Sequence, residues 1–181
     1  MGETDEALMA LTAARDERAF RLLMERHMAR AIRLAERVVR SPAEADEIGQ
    51  DAFLRVWTGA ASFDPRLGRF STWLHRIVVN LALDRLRRPV HRPLDEAGDL
   101  RSDDPEPVAV IIATERQALL AQALDALPDR QRAALALFHM EGLSGREAAE
   151  VMKVSEKAFE SLLTRARTAL RQKMRIGMET L

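Results

Sequence analysis

Residues 143–173 read LSGREAAEVMKVSEKAFESLLTRARTALRQK. Ser144 and Glu147 have the spacing of a capping box, which predicts a short helix over residues 145–152. Ser155 is placed to cap a second helix that reaches about Lys173. Only the tripeptide KVS separates the two helices, so they are joined by a tight turn. A short helix, a tight turn and a longer helix together predict a helix-turn-helix.

The second of these helices has two different sides. Its apolar stripe, which we expect to be buried, consists of Phe159, Leu163, Ala166 and Leu170. The opposite side carries short hydroxyls and cations, namely Lys157, Ser161, Thr164, Arg165, Thr168 and Arg171. Arginine reads guanine in the major groove, and serine or threonine contacts bases or phosphates. The pattern favours a DNA-reading helix, with an ordinary helical hairpin as the alternative.

A second informative helix lies over residues 70–88, FSTWLHRIVVNLALDRLRR, and we expect Ser71 or Thr72 to cap it. At 100° per residue its apolar side chains share one broad side. The polar stripe on the other side occupies an arc of about 80° and consists of Trp73, Arg76, Asn80, Asp84 and Arg87. An aromatic ring beside an amide and arginines can bind bases and phosphates, and stacking one base contributes about 1–3 kcal/mol. For Trp73, a place in the domain core is the alternative.

An acidic helix begins at residues 41–44, SPAE. Ser41 can cap it, Pro42 suits the first helical position, and Glu44 completes a capping box. Over the next turns carboxylates cluster with an amide and a guanidinium, at Glu44, Asp46, Glu47, Gln50, Asp51 and Arg55. Taken alone, this cluster is either a solvated helix face or a docking surface for a basic partner.

The remaining segments complete an all-α organisation, because no stretch has the alternation of a strand. Residues 5–40 predict a first helix pair, with a core of Leu8, Leu11, Phe20, Leu23, Met24, Ile32, Leu34 and Val38. Residues 91–110 are rich in proline and acids, which predicts a flexible acidic linker. The expected fold is therefore two small helical domains, an N-terminal bundle over 1–90 and a C-terminal helix-turn-helix domain over 111–176, joined by this linker.

Charge and composition narrow the function. The chain has 28 basic and 28 acidic residues, but the acidic linker conceals two basic clusters, six arginines against Asp84 over 69–92 and five basic residues over 164–175. No cysteine is present, which excludes disulfides, thiolate metal sites and a cysteine nucleophile. The four histidines are too scattered for a metal motif, and no glycine-rich phosphate loop is found. We expect no enzyme activity, cofactor, metal or small-molecule substrate.

The N-terminal segment is acidic and has no apolar core of the kind that a signal peptide needs. No apolar run approaches the roughly 18 residues of a membrane span. We therefore expect a cytoplasmic protein that does not insert into a membrane.

With these motifs placed, nearly the whole chain resembles a bacterial RNA polymerase sigma factor of the extracytoplasmic-function (ECF) type. Gln50, Asp51, Phe53 and Trp57 match the core-binding helix of that family. Residues 70–88 are similar to its promoter-melting and minus-ten segment. Residues 123–167 are similar to its minus-thirty-five domain. They include the Leu-Pro-x-x-x-Arg start of that domain, at Leu127, Pro128 and Arg132. Family members commonly carry glycine where Lys153 stands and basic residues where Glu160 and Leu162 stand. We therefore expect the specific minus-thirty-five contacts to rest on Ser161, Thr164 and Arg165, and the target sequence cannot be taken from relatives.

The resemblance implies three partners: core RNA polymerase, promoter DNA and, as for many members, an anti-sigma factor. It implies that core polymerase binds Glu44, Asp46, Glu47, Gln50, Asp51 and Arg55. For minus-ten DNA the implied residues are Trp73, Arg76, Asn80, Asp84, Arg85, Arg87 and Arg88. For minus-thirty-five DNA they are Arg146, Lys157, Ser161, Thr164, Arg165, Arg167 and Arg171.

Two other functions stay open on the residues alone. A two-domain helix-turn-helix regulator that binds duplex operator DNA without polymerase would explain residues 144–175, but it leaves the polar stripe and the acidic helix without a role. A helical protein-interaction adaptor would treat both basic clusters as ordinary surface.

Overall fold

The computed structural model describes residues 3–87 and 108–179, with side chains over 3–87 and 117–176. Within these residues the chain forms α1 (Asp5–Ala13), α2 (Glu17–Val39), α3 (Pro42–Gly59), α4 (Phe70–Arg87), α5 (Val108–Asp125), α6 (Asp129–Leu135), α7 (Gly145–Val151) and α8 (Glu156–Glu179). They contain no strand, which confirms the all-α prediction. Arg88 lies outside the described residues, as does the predicted linker, residues 91–110, except for its last three residues, which begin α5.

Local capping signals predict several helix starts correctly. Ser144 and Glu147 form the complete capping box of α7, with the Ser144 hydroxyl 3.2 Å from the Glu147 nitrogen and the Glu147 carboxylate 2.9 Å from the Ser144 nitrogen. The Ser155 hydroxyl accepts from the Ala158 N–H at 3.2 Å and so caps α8. At α3 only the Ser41 half of the predicted box is present. The last helix also continues six residues beyond the predicted end at Lys173.

Two predictions in the N-terminal half are wrong. Neither Ser71 nor Thr72 caps α4, because the helix already begins at Phe70. The Phe70 N–H donates instead to the carboxylate of Glu6 in α1, at 3.2 Å. Leu11 is 39% exposed rather than buried, because the short α1 directs Leu8, Met9 and Thr12 at the core, and Leu11 is rotated by about 100° from the centre of that face.

The N-terminal unit, α1 to α4, is a bundle in which α2 packs against each of the other three helices. Its core includes Leu23 of α2, Phe53 of α3 and Phe70 of α4, all at most 2% exposed. Helices α2 and α3 cross closely at Gly49. A Cβ atom there would lie 2.6 Å from Cγ1 of Ile32, so this crossing requires glycine.

The C-terminal unit, α5 to α8, is organised around α8, which packs against α5, α6 and α7. Phe159, Leu163 and Ala166 are buried as predicted, whereas Leu170 is only half-buried. In the turn between α7 and α8, Lys153 has a left-handed backbone with φ of 53°. Helix α6 continues into a π turn over Ala136–Met140, in which the Glu141 N–H donates to the Ala136 carbonyl at 3.0 Å.

The two units are packed against each other. Helix α4 contacts α6 and α7, and α2 contacts α6 and the π turn. Their buried residues form one continuous cluster that extends from α1 to α8. The first helix of the helix-turn-helix therefore lies directly against α4, which carries the polar stripe.

Candidate functional site

Helix α3 presents the predicted acidic cluster on its outer side. The inner side is occupied by Ala45, Ile48 and Ala52, which are at most 1% exposed. The six predicted residues consequently share the other side: Asp46, Glu47, Gln50, Asp51 and Arg55 are exposed, and Glu44 is half-buried.

An apolar groove of about 700 Å³ lies between α2 and α3, next to the acidic cluster. Its walls are formed by Phe20, Met24, Met28, Phe53, Leu54 and Trp57, and Gln50 lies on its rim. Leu54 is 60% exposed, although leucine is usually buried. Sequence reasoning missed this groove. The signal available was Leu54 itself, which lies one helical turn after Gln50 and off the buried side of α3.

In the polar stripe of α4, one side chain has no hydrogen-bond partner among the described residues, and others already pack against or pair with neighbours. Asn80 is half-buried, and its amide makes no hydrogen bond to any residue that the structure describes. Trp73 is also half-buried. Its ring packs against Phe63 and Phe70, with centroid distances of 5.5 and 6.3 Å. Arg87 lies 3.3 Å from Asp84, within the stripe.

Two predicted DNA-binding arginines of α4 are bound by carboxylates of other helices. Arg85 donates to Glu47 of α3 at 2.7 Å. This hydrogen bond raises the pKa of the Arg85 guanidinium, and Glu44 and Asp51 add to the effect. Arg76 donates to Glu150 of α7, in the other unit. The positive charge of each guanidinium is thus balanced by a carboxylate of the protein itself.

A cleft of about 280 Å³ lies beside Trp73, between α4 and the connection that precedes it. The connection contributes Phe63, Leu67 and Arg69 to the lining, and Glu150 closes one side. The sequence of residues 59–69, which contains an Asp-Pro pair and two glycines, indicates only a turn-rich connection here. Leu67 of this connection is 80% exposed.

Helix α8 places most of the predicted minus-thirty-five set on an open face. Lys157, Thr164, Arg165 and Arg171 are exposed, as is Arg146 on α7, and Ser161 is half-buried. Arg167 does not join them. Its guanidinium lies 3.1 Å from the His139 ring nitrogen and stacks over Phe138 at 5.2 Å, because it follows the buried Ala166 and faces the π turn.

Comparison with known proteins agrees with this arrangement. The profile of Sigma-70 region 2 matches residues 23–91, and that of Sigma-70 region 4 matches residues 117–170. The ECF RNA polymerase sigma factor SigM of Mycobacterium tuberculosis is 39% identical over 168 residues, which cover 92% of this chain and 83% of SigM. The chain belongs to the ECF sigma factor family. The RNA polymerase sigma-H factor of Pseudomonas aeruginosa is 30% identical, over 93% of this chain and 92% of its own.

Two solved structures have the same fold. The structure of CnrH in complex with the cytosolic domain of CnrY is similar over 96% of this sigma factor and 99% of that chain, with a TM-score of 0.70 and 28% identity. The sigma factor RpoE from Bartonella quintana, solved with the anti-sigma factor NepR, matches over 87% of this chain and 97% of its own, with a TM-score of 0.62 and 18% identity.

Each candidate surface of this sigma factor lies largely within one of the two matched regions. Region 2 covers most of α2 and all of α3 and α4, so it contains the acidic cluster and the polar stripe. Region 4 runs from within α5 to within α8 and contains the helix-turn-helix. Among the described helices, none is both long and apolar enough to cross a membrane. Sigma factors are not a class of enzymes.

Proposed function

We propose that this sigma factor binds core RNA polymerase through α3 and directs it to promoters that α8 reads at the minus-thirty-five element. Helix α4 then assists melting at the minus-ten element. In this proposal residues 1–90 and 111–176 act as separate domains joined by residues 91–110, in the cytoplasm and without catalytic activity or cofactor. One observation carries the proposal: a single chain contains matches to both Sigma-70 region 2 and Sigma-70 region 4.

The polymerase-binding surface combines the acidic cluster of α3 with the apolar groove beside it. The groove can take an apolar helix side, because Leu54 and the rings of Phe20 and Trp57 line it. Asp46 and Asp51, beside the groove, would pair with a basic helix. Complementary charge increases the association rate and sets the register, whereas buried apolar side chains supply most of the affinity.

The melting surface is centred on Asn80. Its amide has both donors and acceptor available within the described protein, so it can form paired hydrogen bonds with a base edge. The half-buried Trp73 fits a mixed role, since one part of its ring packs on Phe63 and Phe70 and the remainder lines the open cleft. An unpaired base held there would recover part of its lost stacking energy.

The minus-thirty-five surface is the exposed face of α7 and α8. Arg165, with Thr164 and Ser161 beside it, lies mid-helix where side chains reach base edges. Arg146, Lys157 and Arg171 lie further out and suit phosphates. Arg167 has a lesser part in this proposal, because His139 and Phe138 already bind its guanidinium.

An anti-sigma factor is the third proposed partner. Two similar chains have been solved with protein partners, and one of these partners is named an anti-sigma factor. A protein that occupied the groove between α2 and α3 would exclude polymerase from it.

A gel shift with and without core RNA polymerase tests the proposal. Promoter fragments enriched by the holoenzyme from genomic DNA serve as probes. A sigma factor produces a strong shift only with core polymerase. A shift by the free protein at the same concentration would instead support the operator-binding regulator, and no shift in either case would support the adaptor.

A further inference from the structure

Two methionines form much of the α2 wall of the apolar groove. Met24 and Met28 line it together with Phe20, and their four-residue spacing places all three side chains on one side of α2. Both methionines are half-buried, so water in the open groove reaches part of each side chain. The Sδ atom of Met28 also lies at the crossing of α2 and α3, 3.4 Å from where a Cβ atom on Gly49 would be. The two thioethers therefore belong to the surface that a partner in the groove contacts.

Methionine suits a surface that binds more than one partner, because its unbranched side chain adapts to different shapes. The groove is such a surface in the proposed function, in which core RNA polymerase and an anti-sigma factor both occupy it. The same thioether can be oxidised to a polar sulfoxide. Because the chain has no cysteine, oxidation of sulfur in this protein takes place only at methionine.

Other methionines of the chain differ in their access to water. Met9 and Met152 are 1% and 4% exposed and lie in the core. Met140 of the π turn is 48% exposed, but it does not line the groove. Met174, near the end of α8, is half-buried and also lies outside the groove. Among the methionines whose side chains the structure describes, accessibility and a place in the groove coincide only at positions 24 and 28.

We propose that Met24 and Met28 are oxidation sites through which peroxide lowers the affinity of the sigma factor for core RNA polymerase. The thioether sulfur attacks one oxygen of hydrogen peroxide, so an S–O bond forms and the O–O bond breaks. The second oxygen leaves as hydroxide, takes the proton of the transferred hydroxyl group and becomes water. Sulfur is thereby oxidised by two electrons to the sulfoxide, and the peroxide is reduced.

The sulfoxide makes the groove a poorer binding surface. An apolar partner that packed against it would remove water from the sulfoxide oxygen without replacing the lost hydrogen bonds. The added oxygen also needs space in a wall whose shape the partner has to match. The change is reversible, because methionine sulfoxide reductases restore the thioether. The proposal rests on the assignment of the groove to core polymerase.

The test treats the whole chain, free of polymerase, with hydrogen peroxide and follows each methionine by mass spectrometry of proteolytic peptides. Met24, Met28 and Met140 should each gain one oxygen well before Met9 and Met152 do. Affinity for core RNA polymerase is measured before and after treatment. Oxidised protein should bind at least about tenfold more weakly, a loss of about 1.4 kcal/mol. Sulfoxide reductases for both epimers, with a thiol reductant, should restore binding.

Two variants separate the groove from the other methionines. Met24→Leu with Met28→Leu keeps the wall apolar at similar volume and removes both oxidisable sulfurs. Each variant is compared with its own untreated protein, so a change in starting affinity cancels. Peroxide should weaken binding by the leucine double variant less than about twofold. Met140→Leu is the matched control, and it should lose affinity on treatment as the native chain does.

A second double variant, Met24→Gln with Met28→Gln, tests the same wall in case the leucine variant does not fold. Its amides place polar oxygens in the groove without any oxidant, so it should bind core polymerase weakly even when untreated. Circular dichroism before and after treatment verifies that each protein keeps its helices.

Equal losses of affinity in the native chain and the leucine double variant would overturn the proposal. Complete oxidation of Met24 and Met28 with unchanged affinity would overturn it too, as would a loss of affinity that accompanies unfolding. Leu54→Asp distinguishes a failure of the proposed function, because Leu54 is an exposed residue of the opposite wall. If Leu54→Asp leaves core binding unchanged, polymerase does not use the groove and both proposals fall. If it weakens binding while oxidation does not, only the oxidation role is wrong.

Discussion

The turn between α7 and α8 contains a lysine where the backbone favours glycine. Lys153 has φ of 53°, and a side chain in this left-handed region costs about 1–2 kcal/mol. Replacement by glycine removes that cost but gives the unfolded chain more freedom, which costs about 0.5–1 kcal/mol. The lysine side chain is exposed, so almost no packing is lost. Lys153→Gly should therefore stabilise the protein by about 0.5–1 kcal/mol.

The free energy of unfolding in urea measures this effect, and the melting temperature should rise by about 1–4 °C. Lys173→Gly is the matched control, because it makes the same chemical change inside α8. There glycine should destabilise by about 1 kcal/mol. If Lys153→Gly destabilises the protein as Lys173→Gly does, then backbone strain is not stored in this turn and the reasoning is wrong.

Four further results are expected. Asp46→Lys with Asp51→Lys should abolish co-purification with core RNA polymerase, because both carboxylates lie exposed on α3. Asn80→Ala should suppress the permanganate reactivity of thymines at the minus-ten element, while duplex promoter binding by the holoenzyme persists. Arg165→Ala should cost about 1–3 kcal/mol of holoenzyme affinity and relax preference at one or two minus-thirty-five positions, measured across promoter variants. Acidification should weaken the packing of the two units, as read from the distance between spin labels on Ala10→Cys in α1 and Gln172→Cys in α8, two exposed positions in a chain without cysteine. Burial raises the pKa of Glu141, but hydrogen bonds from the facing cations lower it below its ordinary 4.5. The contact of Glu141 with Arg30, Arg37 and His75 therefore stabilises the packing of the two units above pH 4.5, and it is lost as the pH falls through the lowered pKa.

Each of these results has a clear contrary outcome. If the variant still co-purifies with core RNA polymerase and its helical circular dichroism is intact, the acidic cluster does not bind polymerase. A full permanganate footprint would mean that Asn80 does not contact the melted strand. If Arg165→Ala weakens every promoter variant equally, this arginine contacts phosphate only. A distance that stays constant to well below pH 4.5 would show that ionisation of Glu141 does not hold the units together.

Helix starts were predictable from the sequence where the capping group is local. Ser41, Ser144 and Ser155 each lie at the start of their own helix, so a few residues contain the whole signal. The start of α4 was not predictable in this way, because its partner is Glu6 in α1, distant along the chain. Periodicity likewise predicted the buried side of α8 but overestimated the core of α1, since a helix of nine residues buries only a narrow face.

The candidate site residues were likewise predictable only where the signal lies within one helix. Helical spacing was sufficient to group the acidic cluster of α3 and most of the α8 face. It could not show that Arg76 and Arg85 are bound by Glu150 and Glu47, because these pairs join different helices. Glu141 was missed for the same reason. Its partners lie more than sixty residues away in sequence, and only the packing of the units brings them together.

Helix α2 connects two sites that the sequence keeps apart. Its first half forms one wall of the apolar groove, at Phe20 and Met24, and its last turns hold Arg37 and Val38 against the C-terminal unit. From Phe20 to Arg37 the helix axis rises about 26 Å. Because a helix is stiff over this length, tilting it by about 5° at the groove moves the other end by about 2 Å, more than a hydrogen bond tolerates. A partner that binds in the groove and tilts α2 would therefore disturb the contacts between the units without touching them.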